Sequence, residues 1–121
     1  MHCNKFLNIL KVELDDALED FDSLIELYHR KHNEGRLTDY VLQQNVGFVQ
    51  TEKQGLRDVR RALDRVELCD SDELEDARET LERLITDTVR HHDLPTPARD
   101  YMLRKMDKVF RYVSEGELRV T

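Results

Sequence analysis

Apolar residues return at alternating three- and four-residue steps along most of this chain, and that spacing constrains the fold more than any other feature. Leu7, Leu10, Leu14, Ala17, Phe21, Leu24 and Tyr28 form one stripe. Leu42, Asn45, Val49, Glu52, Leu56, Val59, Leu63 and Val66 form a second, and Leu74, Ala77, Leu81, Leu84 and Thr88 a third. Such positions share a face only when about 3.6 residues make a turn, so each stripe reads as a helix. The pattern predicts an all-α fold, an antiparallel up-down-up-down four-helix bundle with two long and two shorter helices.

Helix 1 is expected from about residue 4 to 32, ended by Asn33-Glu34-Gly35-Arg36, with Gly35 suited to a left-handed cap. Thr38 is the expected N-cap of helix 2, flanked by Leu37 and Leu42 at the spacing of a hydrophobic staple. Helix 2 should continue to about Leu68 despite Gly47 and Gly55. After a brief break at 69–71, Asp70 or Ser71 should cap helix 3, which runs to about His92. Asp93-Leu94-Pro95-Thr96-Pro97 reads as a stop and restart, with Thr96 as cap and Pro97 at the first helical position. Met102, Met106, Val109 and Val113 give helix 4 its face, and Gly116 should end it. Helices 1 and 2 come to about 30 residues and helices 3 and 4 to nearer 20, so part of the long hairpin is expected to lack cover.

At 121 residues the chain suits a single domain spanning 1–121. Charged residues make up 37%, and the sustained periodicity separates this composition from an acidic disordered chain. A net charge of −7 argues against general binding to nucleic acid, whose phosphates demand a basic surface, and against adsorption to anionic lipid. Phe6 to Leu10 is too short for a secretory core, and no apolar run approaches the roughly 20 residues needed to span a bilayer. The expectation is a cytoplasmic protein, and two cysteines, Cys3 and Cys69, suit that compartment, where thiols stay reduced.

Charge also sorts the helices. Helix 1 carries Glu13, Asp15, Asp16, Glu19, Asp20, Asp22 and Glu26 without an intervening base, and helix 3 is acidic too. Helix 2 has Lys53, Arg57, Arg60, Arg61 and Arg65, and helix 4 has Arg99, Arg104, Lys105, Lys108 and Arg111. An up-down-up-down bundle then sets each acidic helix beside basic ones.

Candidates for chemistry are few. His29 and His32 end helix 1, and His91 and His92 end helix 3, which places all four toward one pole. Glu26-Leu27-Tyr28-His29 is an E-x-x-H, but di-iron bundles use that element twice and here it occurs once. A mononuclear zinc site from these histidines is the alternative to their ordinary role as helix-end cations favoured by the macrodipole. Cys3, Cys69 and His2 should share the opposite pole, without C-x-x-C spacing. Histidine phosphotransfer needs an exposed mid-helix His followed at three residues by Lys, and none of the histidines meets that test. There is no glycine-rich phosphate loop and no G-x-S-x-G elbow.

Asn45 and Glu52 sit where the heptad would bury them, beside a second row formed by Val41, Phe48, Gly55, Ala62 and Cys69. This wide face could serve neighbours within the chain or extend into a dimer, with Asn45 setting register. The expectation is a non-enzymatic protein-interaction module, an adaptor, regulator or small chaperone-like protein, with no cofactor and a protein partner. A homodimer through helices 1 and 2 would cover the open hairpin.

Overall fold

The computed structural model describes residues 2–92 and 96–120. Four helices, α1 (Cys3–Asn33), α2 (Asp39–Leu63), α3 (Leu74–His91) and α4 (Thr96–Val120), make up the fold, and no strand occurs among the described residues. No helix is long and apolar enough to cross a membrane.

The first turn follows the local chemistry closely. Gly35 adopts φ +75°, and Arg36 N–H donates to the Lys31 carbonyl at 2.8 Å while Gly35 N–H donates to that of His32 at 3.0 Å. That pair of bonds is a Schellman cap, and it satisfies carbonyls the helix end leaves open. Thr38 then begins α2, its hydroxyl accepting from Val41 N–H at 3.2 Å.

The second turn departs from expectation. Helix α2 ends at Leu63 rather than near Leu68, and the break extends from Asp64 to Glu73. Nothing in Asp64-Arg65-Val66-Glu67-Leu68 forbids another helical turn, so the cause is tertiary. Val66 and Leu68 instead pack against the core. The Leu68 carbonyl accepts from Asn4 Nδ2 at 3.3 Å, and the Asp70 carboxylate accepts from Asn4 N–H at 2.9 Å. Asp70 therefore caps α1, not α3. Glu73 is the N-cap of α3, without a side-chain bond.

Helix α4 also differs: at 25 residues it equals α2, and it passes through Gly116 to Val120. Gly116 lacks the positive φ that a glycine stop requires, and here it is simply a weak helical residue. The expected cap at Thr96 and the placement of Pro97 involve side chains outside the described residues.

Ion pairs give the packing register. Asp22–Lys53, Asp15–Arg60 and Lys11–Asp64 run in opposite senses along α1 and α2, as antiparallel neighbours require. Phe6–Phe110, Glu13–Lys105 and Phe21–Tyr101 do the same for α1 and α4. Helix α3 packs on α2 and α4. The charge expectation holds between α1 and its basic neighbours. Between α3 and α4 it is reversed, with Arg78 of the acidic helix donating to Asp107 of the basic one at 2.9 Å.

The core lies in the half of the molecule where all four helices meet. Phe6, Leu10, Leu14, Val59, Leu63, Leu81 and Ile85 are fully buried, closed by Met102, Met106 and Val113 of α4. On α3 the buried face is Leu74, Ala77, Leu81, Ile85 and Val89, while Leu84 and Thr88 are half-buried. A straight helix drifts off a strict heptad, so successive four-residue steps track the core better over this short element.

Candidate functional site

The four helix-end histidines do not converge. His92 Nδ1 lies 3.6 Å from Asp58 Oδ2 on α2, and the His91 and His92 rings meet edge to face with centroids 5.2 Å apart. In the α1–α2 register Asp58 stands level with Ala17. His29 is a dozen residues further along α1, roughly 18 Å at 1.5 Å per residue. His32 pairs instead with Asp39 across the first turn. The sequence expectation that all four histidines gather toward one pole thus gives way to two separate sites, because α1 runs well past the end of α3. Among the described residues no group of three or more His, Cys, Asp and Glu is placed to hold a metal ion.

The opposite pole holds Cys3 and Cys69, both free. Cys3 is buried and its thiol donates to the Asp72 carbonyl at 3.4 Å, while burial pushes its pKa up. Cys69 is exposed, 2.8 Å from the Ser71 hydroxyl. The basic row on α2 is largely committed within the chain. Lys53 pairs with Asp22, and Arg60 bridges Asp15 at 2.9 Å and Asp64 at 2.6 Å.

What the fold leaves open is the far half of the first hairpin. Helix α4 begins at Thr96, about level with Glu26 in the antiparallel register set by Phe21 and Tyr101, whose rings lie 6.0 Å apart. Beyond that level α1 and α2 continue alone as a two-helix arm, and between Asp22 and Phe48 no residue is fully buried. The stripe positions persist there without a neighbour to cover them: Tyr28, Leu42 and Asn45 are half-buried. Four of the exposed large apolar side chains belong to the arm, Phe48 at 64%, Tyr40 at 68%, Val41 at 37% and Leu27 at 36%. Val12 and Tyr112 lie elsewhere, the latter under the Lys5 ammonium.

One sequence signal for this arm is independent of periodicity. Tyr40 to Thr51 contains no Asp, Glu, Lys or Arg, in a chain that is 37% charged. A solvated helix in such a chain would carry charge on its outer side, as α1 does. Depletion of charged residues is also a feature of the buried centres of protein interfaces. Periodicity arguments pass over this signal because they weigh only the apolar positions.

At the base of the arm a cleft of about 210 Å³ is lined by Phe21, Glu52, Leu56, Ala98, Tyr101, Met102 and Arg104. It accounts for the polar residue at heptad position 52, because Glu52 lines this opening where α4 begins. The cleft is smaller than pockets that enclose organic ligands, which run from about 300 Å³ upward. No protein-family model matches the sequence, and neither curated proteins nor solved structures gave a match.

Proposed function

We propose that this chain is a non-enzymatic protein-interaction module whose working surface is the projecting arm. The observation that carries the reading is the coincidence, on one segment, of uncovered heptad positions and a charge-free helix. Apolar patches rimmed by polar residues mark sites of association, since a monomer gains nothing from leaving them wet. The histidine-cluster alternative lacks a geometric basis, because its two halves are separated along the hairpin.

The test is photocrosslinking in cells, with a benzoyl-phenylalanine placed at Phe48 and, as control, at exposed Glu79 on α3. The expected result is a discrete protein adduct from position 48 and none from position 79. Absence of any adduct specific to position 48 would overturn the reading.

A further inference from the structure

We propose that the cleft at the base of the arm binds a free α-amino acid with an apolar side chain, its ammonium group held by Glu52 and its carboxylate by Arg104. The proposal goes beyond the reading of the arm and does not rest on it. Helix α3 ends level with Asp58, about two turns short of Glu52 along α2, so the cleft is lined from α1, α2 and α4 alone. The missing fourth helix leaves a space of about 210 Å³ over a floor of buried Leu56, Ala98 and Met102. The rings of Phe21 and Tyr101, 6.0 Å apart, supply an aromatic wall.

Two charges of opposite sign line this otherwise apolar space. Glu52 is half-buried and Arg104 is exposed. Among the described residues neither has a hydrogen bond or an ion pair. Their sequence neighbours are committed elsewhere. Lys53 pairs with Asp22, and Lys105 pairs with Glu13 at 3.7 Å while its ammonium lies 5.2 Å over the Tyr101 ring. Arg99, next to Ala98, has its Nε 3.8 Å from the Asp100 carboxylate. Glu52 and Arg104 are the charges left to meet a ligand.

Simpler ligands leave one of the two opposed or both unpaired. A cation suited to Glu52 and the aromatic rings would meet Arg104, and an anion suited to Arg104 would meet Glu52. An uncharged apolar molecule would take water from both without a replacement bond. A zwitterion gives each group a charge-assisted hydrogen bond. At roughly 20 Å³ per heavy atom in close packing, the volume admits about ten non-hydrogen atoms, the size of leucine or methionine. The floor and rings then take the apolar side chain, whose burial drives binding. Partly exposed ion pairs contribute little each, so dissociation at about a millimolar is expected.

The test is a chemical-shift titration of the full isotope-labelled chain with L-leucine, carried to about 20 mM. The backbone amides of Glu52, Leu56, Ala98 and Met102 should move saturably. Isoamylamine, which lacks the carboxylate, and isocaproate, which lacks the ammonium, should each bind roughly tenfold more weakly. Glu52→Gln and Arg104→Gln should each weaken leucine by a similar factor. Both variants should keep the circular dichroism spectrum and thermal transition, since neither side chain has a partner within the chain. N-acetyl-leucinamide, which presents leucine as a polypeptide would, should not saturate. Absence of saturable shifts with leucine, an analogue that binds as tightly as leucine, or leucine binding indifferent to either substitution would overturn the inference. Saturation by N-acetyl-leucinamide at the same concentrations would overturn it too, because the cleft would then be reading a side chain and not a free amino acid.

Discussion

Asp70 shows how far a single side chain can act from its place in the sequence. Its carboxylate accepts the backbone N–H of Asn4, 66 positions earlier, and occupies the N-terminus of α1 where no local side chain caps the helix. That bond, first, holds the Asp70 carboxyl below the ordinary carboxylate range. A group whose pKa is depressed on folding adds stability above its unfolded pKa and loses it as pH falls through the folded value. Asp70→Ala should therefore lower the urea midpoint at neutral pH, and the difference from wild type should shrink below about pH 4. An undiminished difference in acid would mean that packing, not the carboxylate, is responsible. Leu56, 2% exposed, sits where α2 first meets α4. Leu56→Ala should cost about 2–5 kcal/mol in denaturant titrations, the range for buried leucines.

Among the elements, the helix ends separate local from tertiary causes. The Gly35 turn is written in a few adjacent residues, and any side chain at φ +75° is strained. Gly35→Ala should destabilise by about 1–2 kcal/mol, the cost of the left-handed conformation for a residue with a Cβ. Gly116 lies within α4, and a Cβ there would meet nothing within 4 Å. Gly116→Ala should stabilise by roughly 0.5–1 kcal/mol. Thermal melts of the two variants should move in opposite directions. The break from Asp64 to Glu73 has no such local signature. It forms because Val66, Leu68 and Asp70 find better partners in the core and at the start of α1 than further helical turns would offer.

For the whole molecule the decisive asymmetry is between a four-helix half that holds the core and a two-helix half that does not. Removing one heptad from each arm helix, residues 25–31 and 41–47 together, preserves the register of the stripes and takes out only half-buried or exposed positions. The shortened chain should keep a cooperative thermal transition and its helical spectrum, because the buried core lies outside both deleted heptads. A loss of cooperative folding would show that the arm belongs to the core.

The helical class and the first turn were legible in sequence because they depend on neighbours: periodicity on positions three and four apart, and the caps at Gly35 and Thr38 on adjacent backbone groups. The buried face of α4, with Met102, Met106, Val109 and Val113, was legible for the same reason. The uncovered hairpin followed from comparing stripe lengths, although α4 is longer than its apolar stripe because Gly116 does not stop it. What sequence could not settle is where α2 ends, what Asp70 caps, and how far apart the histidine pairs stand. Each depends on which surfaces meet across tens of residues. Periodicity says which face of a helix is apolar, but only packing decides how far along that face a neighbour extends.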